Sequence, residues 1–112
     1  MVVKEINFKN DKGETIETEL YINGRTVKQI EKELKTINPK YNFFNGLQMM
    51  GLGELTVILI FFGGFIHKKG NKNPVGSDWF DDMGIDVFEY FSEIKKALDA
   101  CVEDTKPTNT GK

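Results

Sequence analysis

The chain holds one cysteine, one histidine, one tryptophan and three prolines in 112 residues. A single cysteine excludes an internal disulfide framework, and its natural setting is a reducing compartment. With His67 the sole histidine, no metal centre or catalytic dyad can be built from histidines alone. Basic charge is not in excess: fifteen Lys and Arg stand against seventeen Asp and Glu. The overall balance therefore gives no pull toward nucleic acid or an anionic membrane. Met1-Val2-Val3-Lys4-Glu5 lacks the apolar run and small-residue cleavage site of an export signal. The most apolar stretch, Leu55 to Ile66, would make a helix about 18 Å long, short of the ~30 Å hydrocarbon core of a bilayer. The expectation is a cytoplasmic protein with no membrane span.

What is present is enough for one core. Hydrophobic residues make up 39% of the chain and charged ones 29%, the balance of an ordinary globular domain. Residues 1–104 are expected to form a single globular domain, with a hairpin over 1–22 and a mainly helical part over 26–104. Residues 105–112 are expected to be a disordered polar tail.

Alternation dominates the start. Val2, Ile6 and Phe8 share one face of an extended strand, and Ile16, Leu20 and Ile22 share one face of a second. Asn10-Asp11-Lys12-Gly13 between them supplies turn chemistry. The period then changes. Thr26 and Gln29 have the spacing of a capping box, Val27, Ile30 and Leu34 fall on one helical stripe, and Glu31 and Lys35 are placed for an i,i+4 pair. Asn38-Pro39 ends that helix. Between Tyr41 and His67 nearly every position is apolar, so periodicity fails. Thr56, Val57, Ile58 and Ile60 favour a buried strand, while the length and the acidic Glu54 favour a helix. A helix is expected, apolar on all sides and so buried by several neighbours or by a partner. Lys68 to Ser77 reads as a loop, and a short element carrying Trp79 follows. Asp86 and Glu89 have capping-box spacing ahead of a last helix whose stripe is Val87, Phe88, Phe91, Ile94, Leu98, Cys101 and Val102. The fold class expected is α+β: an N-terminal β-hairpin packed on a small bundle of three to four helices. Its core should contain Val27, Ile30, Leu34, Leu55, Ile58, Leu59, Phe62, Phe88, Phe91, Ile94 and Leu98 with the hairpin faces.

Chemistry is sparse. His67 reads as a structural histidine at a helix end, and Cys101 as a buried thiol on an apolar stripe. Asp78, Asp81, Asp82, Asp86 and Glu89 cluster, yet no start among them matches a calcium-binding loop. Gly51-Leu52-Gly53 lacks the third glycine of a dinucleotide fingerprint, and no phosphate-binding loop occurs. No catalytic, metal or cofactor residue is assigned, and no enzyme is expected. Residues 78–104 carry nine acidic against two basic residues, which marks either a solvated face or a protein-facing one.

The order of elements resembles the tail assembly chaperones of long-tailed (siphovirus-type) phages and prophages of Gram-positive bacteria. The resemblance is carried by Leu20-Tyr21-Ile22-Asn23-Gly24-Arg25-Thr26-Val27-Lys28-Gln29-Ile30-Glu31-Lys32-Glu33-Leu34, by Gly46-Leu47 through Gly53-Glu54-Leu55 and the apolar helix to His67, and by Asp86-Val87-Phe88-Glu89-Tyr90-Phe91 opening an acidic helix. Phe61-Phe62-Gly63-Gly64-Phe65 is more apolar and glycine-rich than the family pattern. The resemblance implies a non-enzymatic protein of the host cytoplasm that binds the tape measure protein before the tail tube polymerises. It implies self-association along that client, and recruitment of tail tube protein through a frameshifted longer form. In that family the shift occurs near the end of the short reading frame, where Gly111-Lys112 is one reading of a slippery run. Phe43, Phe44, Met49, Met50, Phe61 and Phe65 are the candidate partner-binding residues. A small regulatory adaptor binding one protein partner is the alternative. A third reading is a small enzyme or metal protein using Asp81, Asp82, His67 or Cys101.

Overall fold

Two strands of matching alternation fold back on each other first. The computed structural model describes residues 4–105, so Val2 and the tail beyond Thr105 lie outside the described residues. Strands β1 (Lys4–Lys9) and β2 (Thr15–Leu20) pair antiparallel with Phe8 opposite Ile16 and Lys4 opposite Leu20. Asn10 organises the turn: its side-chain oxygen accepts from the backbone N–H groups of Lys12 (3.0 Å) and Glu14 (2.9 Å). Gly13 closes it at φ 79°, a conformation that costs glycine little. Ile6, Phe8, Leu20 and Thr18 are buried, whereas Ile16 is only half-buried.

The rest of the described chain runs α1 (Gly24–Ile37), α2 (Phe43–Gly51), α3 (Leu55–Phe65), β3 (Ile66–Lys68), α4 (Trp79–Met83), a 3-10 turn at Val87–Tyr90, and α5 (Phe91–Thr105). The class is α+β, with five helices among the described residues in place of three or four. A third strand joins the hairpin. β3 pairs antiparallel with β2, Leu20 opposite Ile66 and Glu19 opposite His67, giving the order β1-β2-β3. Both sheet edges are blunted against further pairing. On β1 the Lys9 N–H donates to the Tyr90 hydroxyl (2.9 Å) and Lys4 pairs with Glu93 (3.2 Å). On the other side β3 is three residues long and bridges to Pro74.

The helix starts differ from the sequence signals in an informative way. α1 is capped by Asn23, whose side chain accepts from the Thr26 N–H (2.9 Å), so the helix begins at Gly24 and Thr26 lies inside its first turn. Gln29 donates to Glu33 instead of closing a box. Glu31 and Lys35 do not pair. Glu31 accepts from the Phe43 N–H (2.9 Å) and Lys35 donates to the Tyr41 carbonyl (2.6 Å), so both tie α1 to the segment that enters α2. The reciprocal capping box lies at Asn42 and Asn45, opening α2. Asp86 does cap, accepting from the Phe88 N–H (3.1 Å), but it opens the 3-10 turn, and α5 starts only at Phe91.

α3 is the centre of the molecule. Val57, Ile58 and every residue from Ile60 to Phe65 are buried, so the helix expectation for this stretch is met. It stops two residues short of its expected end at His67, because Ile66 is extended and starts β3. Glycines set its neighbours. A Cβ at Gly64 would overlap Ile30 of α1, one at Gly63 would overlap the Gly76 backbone, and one at Gly46 of α2 would press on Leu34 and Phe61. The Gly76 N–H also donates to the Gly63 carbonyl (2.8 Å). The unusual Gly63-Gly64 pair is thus the bed on which α1 and the loop after β3 rest.

Of the expected core, Ile30, Leu34, Ile58, Phe62, Ile94 and Leu98 are fully or almost fully buried. Val27, Leu59 and Phe91 are partly buried at its border. Phe88, at 60% exposed, and Leu55, at 47%, are surface residues. Phe88 points out because the 3-10 turn has three residues per turn and breaks the phase of the α-helical stripe. Leu55 is the first residue of α3 and projects beyond the packed length.

Replacing Gly64 by Ala should destabilise the fold by about 1–3 kcal/mol, since Ile30 is itself enclosed and cannot retreat. Gly51, which has open space around it, should accept Ala neutrally or with a gain of up to about 1 kcal/mol. Equilibrium urea unfolding of the two variants checks the contrast.

Candidate functional site

The six candidate partner-binding residues divide sharply. Phe43, Met50, Phe61 and Phe65 are buried in the core, Met49 is partly buried, and Phe44 is 72% exposed. Four of the six therefore belong to the core that holds the fold together, and of these only Met50 reaches the groove described next. Phe43 shows the reason, with its ring 5.3 Å from that of Phe61 and 5.8 Å from that of Phe44. It anchors α2 on α3 and leaves its neighbour standing outward.

Phe44 is one wall of a groove between α2 and α5. Phe44, Leu47, Gln48 and Gly51 line it from α2 at i, i+3, i+4 and i+7, with Met50 beside them. Lys95, Asp99 and Val102 line it from α5 at i, i+4 and i+7. The groove encloses about 490 Å³. Its charged members are matched to each other, because Lys95 donates to both oxygens of Asp99 (3.0 and 2.9 Å). The remainder is mostly apolar, and Gly51 leaves one end open. Leu52, 83% exposed, follows at the helix end, where Gly53 turns the chain at φ 87°. Two helix faces with a mostly apolar trough between them have the form of a seat for a third amphipathic helix. Leu47, Gln48 and Val102 were not among the expected site residues. Their signal is the shared helical face, which the apolar density of residues 41–67 hides.

The other chemistry-bearing residues stay apart in role. Cys101 is buried on α5, where it faces the core. Asp81 and Asp82 are exposed on α4. Among the described residues no group of three or more His, Cys, Asp or Glu is placed to hold a metal ion. No helix among them is long and apolar enough to cross a membrane.

His67 departs from its expected place. It is not at a helix end but in β3, fully buried, with its ring stacked on Tyr21 at a centroid distance of 3.9 Å and 6° between planes. Its Nε2 lies 3.2 Å from the Thr26 hydroxyl, while Nδ1 has no partner. Burial pushes the imidazole pKa below its ordinary value of 6.5, against the opposing pull of nearby backbone carbonyls and of Glu19 across the ladder. The histidine is therefore a neutral clamp between the sheet and the first turn of α1.

Comparison of the chain with protein-family models, with curated proteins and with solved structures finds no match.

Because the folded state holds the His67 pKa below the unfolded value, the unfolded chain binds more protons as the solution turns acid. The stability contribution is whole above pH 6.5 and is lost as pH falls below that value toward the folded pKa. Between pH 7.5 and 5.5 the wild-type melting temperature should fall more steeply than that of His67→Phe, which keeps a ring for the stack and cannot titrate. Parallel slopes in differential scanning calorimetry would contradict a neutral buried imidazole.

Proposed function

We propose that this chain is a non-enzymatic tail assembly chaperone of the long-tailed phage type. In this reading it binds the tape measure protein in the host cytoplasm before the tail tube polymerises. The observation that carries the reading is the α2/α5 groove, an open apolar trough walled on one side by the exposed side chain of Phe44. The resemblance in the order of elements supplies the client. A tape measure protein is long and helical, and an amphipathic helix presents apolar residues at the i, i+3, i+4, i+7 spacing that the groove itself displays. Seating it there would cover surface that water now meets, and that covering is the driving force. Copies bound side by side along one client would bring their exposed apolar residues together, so self-association belongs to the same reading. Recruitment of tail tube protein belongs to a frameshifted longer form.

The test is co-expression and co-purification with overlapping tape measure segments. Burying a phenylalanine contributes roughly 1.5–3 kcal/mol, so Phe44→Ser should weaken capture by about ten- to a hundredfold with the unfolding midpoint nearly unchanged. Phe61→Ala should instead lower stability by about 3–5 kcal/mol. A protein that captures a folded partner and no tape measure segment would favour the adaptor alternative. Equal capture by wild type and Phe44→Ser would remove the groove from the mechanism.

A further inference from the structure

A second groove opens on another face, between α1, the start of α3 and the start of α4. Glu33, Thr36 and Ile37 line it from α1, and Thr56, Leu59 and Ile60 from α3. Ser77, Asp78 and Asp81 close the third side. It encloses about 210 Å³, room for one or two side chains rather than for a helix. Its floor is aliphatic, with Ile60 buried, Leu59 partly buried and Ile37 47% exposed.

Its electrostatics differ from those of the α2/α5 groove. Three carboxylates, Glu33, Asp78 and Asp81, border it, and no Lys or Arg lines it. Glu33 is held in place by neutral donors, the Ser77 hydroxyl and the Gln29 amide (2.8 Å). None of the three takes part in an ion pair among the described residues. Carboxylates gathered at one rim make it negative, and among the described residues no cation stands within ion-pairing distance of them. The fold thus displays an aliphatic slot with an unbalanced negative rim, the complement of an aliphatic side chain flanked by positive ones.

We propose that this groove docks a short basic peptide segment of a partner protein, one aliphatic residue entering the slot and flanking Lys or Arg residues meeting Glu33, Asp78 and Asp81. The site is separate from the α2/α5 groove and does not depend on the chaperone reading. Exposed ion pairs each contribute little, so the affinity is modest and salt-sensitive.

The test uses a fluorescent peptide with a Leu-Ile pair between Lys-Arg pairs, and a counterpart with Glu at the basic positions, in anisotropy titrations with the full chain. The basic peptide should bind saturably, weakening several-fold as salt rises from about 50 to 300 mM, and the acidic one should not bind. The double variant Asp78→Asn, Asp81→Asn should bind about three- to tenfold more weakly. Ile37→Ser should also weaken binding. Glu89→Gln lies outside the groove lining and makes the same kind of charge change, so it should leave binding unaltered. All four positions are exposed, so circular dichroism should report an unchanged fold. Three results would overturn the proposal. They are no saturable binding at millimolar peptide, equal loss in Glu89→Gln and the double variant, or a salt-sensitive dimer abolished by Asp78→Asn, Asp81→Asn, which would make a second copy the occupant. Phe44→Ser serves to separate the two grooves, since it should leave basic-peptide binding intact whatever it does to tape measure capture.

Discussion

The contact of Ile30 with Gly64 is the constraint on which the rest of the structure depends. A helix as apolar as Leu55–Phe65 must be covered on nearly all sides, and a short chain has few elements to cover it. The missing side chains at Gly63 and Gly64 let α1 and the Gly76 backbone approach the helix axis closely, so one side of α3 is sealed by two thin layers. Gly46 does the same for α2 over Phe61. Close approach raises the density of dispersion contacts. It also fixes where α1 must begin, and hence where Thr26 meets His67 and where β3 can join β2. Phe62 faces the other way, 5.5 Å from Phe91, and brings α5 onto the same helix.

This dependence explains which parts were legible in the sequence. The hairpin alternates and has a turn of Asn, Asp and Gly, so its local signals agree with its tertiary role. α1 and the later part of α5 carry clear stripes, and Ile30, Leu34, Ile94 and Leu98 went where the stripes pointed. β3 was not legible. Three residues, Ile66-His67-Lys68, contain no period to read, and they are a strand only because β2 offers an open edge as the chain leaves α3. The cap of α1 was misplaced by three residues because both Asn23 and Thr26 are capping types. Tertiary context decides between them, since Thr26 is needed inside, its hydroxyl near the imidazole of His67 and 3.4 Å from the Tyr21 carbonyl.

The candidate site was legible in location and not in membership. The apolar excess between Phe43 and Phe65 does mark the region that leaves Phe44 and Leu52 on the surface. Apolarity alone cannot say which phenylalanine points out, because burial is decided by phase relative to α3. Phe43 and Phe44 are adjacent, about 100° apart on the helix, and that angle separates a core anchor from a groove wall. The residues that line the trough with Phe44 are found by stepping three and four positions along α2, and they include the polar Gln48 and the small Gly51, which no ranking by hydrophobicity would select.

Charge distinguishes the two grooves more than shape does. In the α2/α5 trough Lys95 and Asp99 neutralise each other at an i,i+4 spacing, so an arriving helix meets little net charge and association there is governed by apolar area. In the slot beside α4 the carboxylates of Glu33, Asp78 and Asp81 have no such partner, and two of them belong to the segment 78–104 that concentrates nine acidic residues. An acidic surface of this kind adds little affinity by itself; it raises encounter rates with cations and repels acidic competitors. The same unbalanced rim would weaken the approach of a second copy of the acidic segment. In the proposed reading the first groove holds an apolar client helix and the second selects a basic segment, and the two linings share no residue.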